Sequence, residues 1–334
     1  MLNLRRLQLL VELSRRGTVT EVADALSYSR STVSQQLGEL QREAGVPLIE
    51  AIGRRVRLTT AGEILVRHAE QILRQVDLAE ADLAATRSEV VGELHVATFQ
   101  TAAITMVPEM LTTMAERHPQ LSVYLAEIRP DTSTAALLAG EFDLVLGELY
   151  PGLEQAPPTG IDRQLLFSDP LRLWVSRSSP RWVGHQLADF ADAEWVFEPR
   201  GSSARAWAEL VCRAAGFEPR VRFESADLLV HAQLVETGHA AALLPDLVWR
   251  SRPPSGDWFQ LPGDPHRDVY TAVRQGSETR PALVELRTVL AEIATRPDCE
   301  FSAALVKSAD RLTTYRMSDP RRRSLCTLSS SVVA

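Results

Sequence analysis

Little in this chain invites covalent or metal chemistry. Cysteine occurs three times in 334 residues, as Cys212, Cys299 and Cys326. That is too few and too scattered for a disulfide framework or a zinc site. The seven histidines show no ligand spacing. No Gly-x-Ser-x-Gly elbow, His-Glu-x-x-His, Walker loop or Gly-x-Gly-x-x-Gly fingerprint occurs. No metal, no cofactor and no enzymatic activity are therefore expected. Long apolar runs are missing as well, since polar residues interrupt even Val235–Leu244, which excludes a membrane span of about 18 residues. Met1–Leu10 carries Arg5 and Arg6 inside its apolar stretch and no small-residue cleavage site, so a signal peptide is not expected and a cytoplasmic protein is. Lysine is almost absent, with Lys307 alone, and arginine supplies the basic charge.

What is present is ordinary in amount and uneven in placement. With 45% hydrophobic and 24% charged residues the chain is no disordered polymer, and at about 150 residues per domain its length suits two or three domains. The net charge of −7 argues against nucleic acid until it is divided. Residues 1–60 hold nine Arg against six Asp/Glu, whereas 61–92 and 93–302 are both acidic. The segment 303–334 turns basic again, with Arg321, Arg322 and Arg323. A basic module thus precedes an acidic body.

The first sixty residues read as short helices with tight turns. Leu4, Leu7, Leu10 and Val11 share a helical face that Gly17 stops. Thr18 and Glu21 have capping-box spacing before a second helix running through Leu26. Ser29 caps a third, with Val33, Leu37, Leu40 and Ala44 on one face and Gly45 at its end. A short strand-like stretch from Gly53 to Leu58 follows, with Arg54, Arg55 and Arg57. Helix, turn, helix and basic wing together spell a winged helix-turn-helix over 1–60.

A capping box at Thr60–Glu63 opens the longest periodic segment, the linker of 61–92. Leu65, Ala69, Ile72, Val76, Ala79, Leu83, Thr86 and Val90 alternate steps of four and three, a heptad seam whose polar flanks cannot face a core. Such a seam calls for a partner helix, most simply its own copy in a second chain. From Gly92 onward, strands and helices alternate. Strands are expected at Leu94–Thr98, Leu121–Ala126, Phe142–Leu146, Leu171–Ser176, Trp195–Phe197, Val221–Phe223, Ala240–Leu244 and Asp268–Arg274. Helices are expected at Thr105–Arg117, Thr132–Ala139, Ala204–Ala215, Leu228–Thr237 and Pro281–Ala294. Alternation of this kind builds parallel sheets covered by helices, and its length implies two lobes with ligands at the carboxyl ends of strands. Residues 303–334, without period, read as a disordered tail.

These features carry a resemblance to the LysR-type transcriptional regulators. It runs from Leu4–Leu7 through Gly17–Leu26, Ser29–Leu40, Gly45–Leu48 and Gly53–Gly62, and returns at Leu138–Leu144 and Val235–Pro245. Ser31, Gln35 and Ile49 stand where the family usually has proline, arginine and phenylalanine. The resemblance implies a multidomain chain: a winged helix-turn-helix, a long linker helix, then a two-lobed α/β, periplasmic-binding-protein-like effector domain over 93–302. Lobe I is expected at about 93–163 and 268–300, lobe II at about 164–267. The function so implied is sequence-specific DNA binding controlled by a small-molecule effector held between the lobes. It further implies a homodimer or homotetramer on an operator that is an interrupted palindrome in double-stranded DNA, with RNA polymerase as a further candidate partner.

On the third helix Arg30, Ser31, Ser34 and Gln35 are candidates for base edges, since the N-terminal part of a recognition helix enters the major groove. Arg42 lies on the same polar face, and Gly38 there suits close approach of the backbone to DNA. Arg54, Arg55 and Arg57 suit phosphates. For the effector, the resemblance gathers Thr98, Gln100 and Thr101, then Arg200, Ser202 and Ser203, then Gly147 and Glu148, with Glu224 and Asp246 at the rim. Hydroxyls with Arg200 favour an anion, while Glu148 would favour a cationic or amino group. A small-molecule binding module or enzyme of periplasmic-binding-protein type would account for the body and leave 1–90 unexplained. An architectural DNA binder without ligand would leave the two lobes unexplained.

Overall fold

A computed structural model describes residues 1–295 apart from 27, 53–54, 87–89, 154–155, 177–185 and 251–255. Arg54, the side chain of Arg55 and the expected tail at 303–334 lie outside the described residues. The N-terminal module consists of α1 (Leu4–Arg16), α2 (Val19–Ala25), α3 (Arg30–Ala44) and the hairpin β1 (Ile49–Ile52) and β2 (Arg55–Leu58). Its helices start where side chains satisfy free N–H groups: Asn3 accepts from Arg5 N at 2.9 Å, Thr18 from Glu21 N at 3.1 Å, and Ser29 from Thr32 N at 3.0 Å. Leu7, Leu10, Val22, Val33, Leu37 and Leu40 form its core.

The long helix α4 (Thr60–Ala85) is capped by Thr59, one residue earlier than its sequence suggests. Thr59 accepts from Gly62 N at 3.1 Å and donates its hydroxyl to Pro47 O at 2.7 Å, so the cap also anchors the helix to the loop before the wing. The helix presents three different faces. Val66 and Ala69 bury against the leucines of α1. Ala69 is fully buried by its own module, so it is not offered to a partner chain, and Leu65 packs half-buried beside that same core. Farther along, Asp77 and Leu78 meet the body of the protein. Ile72, Ala79 and Leu83 stay exposed and Val76 half-exposed, an apolar strip left largely open by the described residues.

The body begins with β3 (Gly92–Thr98), α5 (Gln100–Thr105), α6 (Val107–Arg117), β4 (Leu121–Glu127), α7 (Pro130–Leu138) and β5 (Leu144–Leu149). The helix expected from Thr105 is α6, which starts two residues later with Pro108 in its first turn, and the short α5 before it was not expected. β6 (Ile161–Val175) follows, then a 3-10 turn at Leu187–Phe190, β7 (Glu194–Phe197), α8 (Ser203–Ala214), β8 (Arg220–Glu224) and α9 (Leu228–Glu236). The chain closes with β9 (Ala242–Pro245), a 3-10 turn at Asp246–Trp249, β10 (Asp257–Gln260), β11 (His266–Arg274) and α10 (Pro281–Thr295).

Only part of this sheet is parallel, against the expectation. β3 runs parallel to β4 and β5, whereas β11 runs antiparallel to β5 and β6. The long β6 serves both halves. Its residues 161–170 pair with β11, and from Leu171 it pairs with β9 and β10 instead. The hand-over therefore falls at Pro170–Leu171, later than the expected boundary near 164. α6 and α10 cover one face of the first sheet and α7 the other. The second half packs α8 and α9 over β6, β7 and β9, with β7 and β8 parallel.

Gly147 of β5 stands directly opposite Tyr270 of β11. A methyl group there would sit 2.3 Å from the Tyr270 ring, so this glycine makes room for an aromatic neighbour, and it is not among the residues that line the cleft. Gly147→Ala is expected to lower stability by about 1–3 kcal/mol, read from the urea midpoint, and adding Tyr270→Leu to return part of it.

Candidate nucleic-acid interface and effector cleft

On α3, Val33, Leu37 and Leu40 point into the module, which leaves Arg30, Ser31, Ser34, Gln35 and Arg42 exposed along the opposite side. The Ser29 hydroxyl lies 2.7 Å from those of Ser31 and Thr32, ordering the helix start. The acidic groups of this helix are paired with arginines. Arg6 of α1 pairs with Glu39 and Glu43 and donates to Gln36 at 3.0 Å. Gln35 reaches Glu39 at 3.4 Å, and Arg42 stands 3.7 Å from it. Gly38 has no atom within 4 Å of where a Cβ would stand, so packing within the chain does not require it. In the wing, Arg57 lies opposite Glu50 and donates to it at 2.8 Å, which ties down part of the charge expected to be free for phosphates. Arg5 and Tyr28 escaped notice in the sequence. Arg5 Nε donates to the Tyr28 hydroxyl at 2.9 Å and braces α1 against the start of α3.

Where β6 and β11 cross from one half to the other, a cavity of about 390 Å³ opens between the lobes. It brings together Gln100, Thr101, Glu148, Arg200 and Ser202. Its floor is a buried ion cluster that sequence reasoning missed. Arg267, with no exposed surface, donates through Nε and Nη2 to Asp169 at 2.9 and 2.8 Å, to Thr101 at 3.0 Å, and to Glu148. Burial opposes its charge, but Glu148 and Asp169 prevail and its pKa rises. Asp169, raised by the same burial, also accepts from Leu247 N at 3.0 Å. Glu148 is thus already matched to a cation and is a poor selector of cationic ligands.

Gln100 acts as a bridge as well. Its amide donates to Asp227 at 2.7 Å and accepts from Leu228 N at 2.8 Å, so a side chain of the first lobe clasps the start of α9 in the second. Ser202 lines the cavity while capping α8, accepting from Arg205 N at 3.1 Å. The mouth carries exposed Arg129 and Arg200, the latter close enough for its charge to act on Glu209 of α8.

Four further expectations fail on placement. Thr98 is buried, its hydroxyl donating to Phe99 O at 3.3 Å. Ser203, the first residue of α8, faces a separate surface hollow. Glu224 receives Arg205 at 3.0 Å on the far side of α8. Asp246 is buried against Arg172, which donates at 2.8 and 2.9 Å and lies over Trp258, and burial pushes its carboxyl up to about 6. Both acids are held by neighbouring arginines and neither lines the cleft.

A helix-turn-helix with a wing, joined through a long helix to a two-lobed domain with a cleft, defines a ligand-responsive DNA-binding protein. Comparison with known proteins gives the particular kind. The chain belongs to the LysR family: residues 4–63 match the bacterial regulatory helix-turn-helix protein of the lysR family, and residues 87–294 match the LysR substrate binding domain. Among its relatives is the HTH-type transcriptional regulator GbpR of Azospirillum brasilense, 27% identical over 308 residues, which span 91% of this chain and 89% of that one. Another is the DNA-binding transcriptional dual regulator OxyR of Escherichia coli, 27% identical over 314 residues, 91% and 99% of the two chains. In fold the chain is similar to a full-length OxyR variant from Pseudomonas aeruginosa, with a TM-score of 0.59 at 21% identity, covering 88% and 95% of the chains. The protein is a DNA-binding transcriptional regulator of LysR type with an effector-binding domain. No helix among the described residues is long and apolar enough to cross a membrane.

Cys212 sits in the middle of α8, fully buried, and burial pushes its thiol up to about 12. It is expected to resist N-ethylmaleimide at about pH 8 in the native protein and to react once the chain is denatured, as peptide mass mapping would read.

Proposed function

We propose that Arg30, Ser31, Ser34 and Gln35 read base edges in one half of an interrupted palindrome, with Arg42, Arg54, Arg55 and Arg57 on its phosphates. The supporting observation is the exposed polar side of α3, where Arg6 pairs with the flanking Glu39 and Glu43. Arg can pair bidentately with guanine and Gln with adenine. Two copies of the chain bring two modules to the two half-sites by pairing the bare strip of Ile72, Val76, Ala79 and Leu83, which buries apolar surface that a lone chain leaves in water. Homotetramers pair such dimers through the lobes. The effector is a small anion with an apolar body, held in the cleft between Arg129 and Arg200 at the mouth and Phe99 and Leu228 on the walls. Glu148 and Asp169 are already compensated by Arg267, which leaves the exposed cationic ends of Arg129 and Arg200 at the mouth to meet an anion. Effector binding shifts the balance between lobe arrangements, re-spaces the DNA-binding modules and changes access of RNA polymerase to the promoter.

The peroxide response named for several relatives does not extend to this chain through Cys212, whose buried thiol is held protonated. A protein of periplasmic-binding-protein type without operator binding has no use for the exposed side of α3.

A footprint on DNA upstream of the gene and its divergent neighbour tests the reading, with a protected interrupted palindrome as the expected result. On that operator, Gln35→Ala should change base preference at one position, worth about 1–3 kcal/mol of discrimination. Arg55→Ala should weaken matched and scrambled DNA alike and reduce the salt slope by about 0.9. Equal losses on both DNAs for Gln35→Ala would remove it from the readout.

A further inference from the structure

Among the described residues, two of the places where the linker helix and the DNA-binding module meet the effector domain of their own chain bear on orientation. One lies along α4. Arg274, at the end of β11, donates to Asp77 at 3.3 Å while holding the carbonyls of Leu137 and Phe142 at 3.3 and 2.8 Å. Beside it, a methyl on Gly276 would lie 2.9 Å from the Arg74 carbonyl, so α4 comes as close to this turn as glycine permits. The other place is on α1. Gln8 donates its side-chain amide to the carbonyl of Ala139, the cap residue of α7. Gly140 follows with a φ of +76°, and a methyl there would lie 3.2 Å from the Gln8 nitrogen. Glu141, next in the chain, interacts with Arg16 and Glu12 of α1.

A single point of attachment leaves a module free to pivot. Two points on different helices remove that freedom. The share of Gln8 in the second point is small: one neutral hydrogen bond sets a preference of about threefold to tenfold, enough to bias an orientation and small enough to be broken. We propose that Gln8 is a positioning residue that docks the DNA-binding module on the Ala139–Glu141 turn of its own first lobe, and that this dock sets the angle at which α3 meets DNA. The consequence for operator choice rests on the operator-binding reading above; the dock itself does not.

Two measurements on the full-length chain test it. Gln8→Glu turns an acceptor toward the Ala139 carbonyl, whereas Gln8→Lys keeps a donor there. With Cys299→Ser and Cys326→Ser in the background, spin labels on Asp24→Cys and Val284→Cys report the distance between module and lobe by pulsed electron resonance, without DNA. A narrow distribution is expected for the parent and for Gln8→Lys, and a broadened or shifted one for Gln8→Glu at unchanged Tm. An identical distribution for Gln8→Glu overturns the dock. Should Gln8→Glu lower Tm, Gln8→Ala supplies the same comparison. The second measurement compares binding to operators whose half-sites are moved apart or together by one base pair. Gln8→Glu is expected to flatten the preference for one spacing by about threefold to tenfold, with Gln8→Lys behaving as the parent. A full preference in Gln8→Glu overturns the link to DNA geometry. Absence of any protected operator for the parent would sink the operator reading, and the label distances would still decide the dock.

Discussion

The guanidinium of Arg267 sits with no exposed surface where the strands pass from one lobe to the other. Moving a charge out of water costs several kcal/mol, and only well-placed partners offset it. They come from separate parts of the chain: Asp169 on β6, Glu148 on β5 and Thr101 on α5. Asp169 in turn holds the backbone of Leu247 in the second lobe. The requirement to satisfy one buried cation thereby fixes the floor of the cleft and the junction of the lobes together. It also decides what the cleft can recognise. Glu148 and Asp169 are committed to Arg267, so discrimination by charge is left to groups nearer the mouth.

The long helix shows how one sequence period can serve several surfaces. A heptad pattern marks positions that avoid water but does not say what covers them. In α4 the leucines of α1 claim Val66 and Ala69, and the turn after β11 claims the side bearing Asp77 and Leu78. The strip at Ile72, Val76, Ala79 and Leu83 is what the described residues leave in water, and the proposed dimer would pair it. Because these faces belong to one rigid rod, a partner on the third face is held in register with both the module and the lobe.

Local features were legible in the sequence, and long-range ones were not. The caps at Thr18 and Ser29 and the buried face of α3 follow from spacings within a few residues, and they stand as read. The start of α4 slipped by one because Thr59 has an extra acceptor, Pro47 O, far along the fold. The first half of β6 was missed because Asp162, Arg163, Gln164, Ser168 and Asp169 make it look like a loop; pairing with β11 turns these polar groups into a strand whose Asp169 finds Arg267. In the cleft, Gln100, Thr101, Glu148, Arg200 and Ser202, which the resemblance gathers, line one cavity. Arg267 gave no signal, since an arginine at the head of a strand ordinarily faces water. Glu224 and Asp246 misled for the opposite reason, as their arginine partners lie far away in sequence.

One strand joins the two places where this protein is expected to respond. β11 carries Arg267 in the cleft floor near its start and Arg274 against the linker helix at its end, roughly 23 Å apart at about 3.3 Å per residue. β5 runs antiparallel beside it, with Glu148 at the cleft and the Ala139–Glu141 turn just before its opposite end. A hydrogen-bonded strand pair inside a sheet transmits displacement as a unit, because stretching it would break its ladder. A change at Glu148 or Arg267 therefore has a stiff path to the turn that Gln8 grips. The coupling needs the module to be held firmly enough to follow the strands, and α4 alone, anchored through Asp77 beside Arg274, would follow only part of that movement. The grip on α1 supplies the missing constraint, and its small size lets the module be carried along or released as the lobes rearrange.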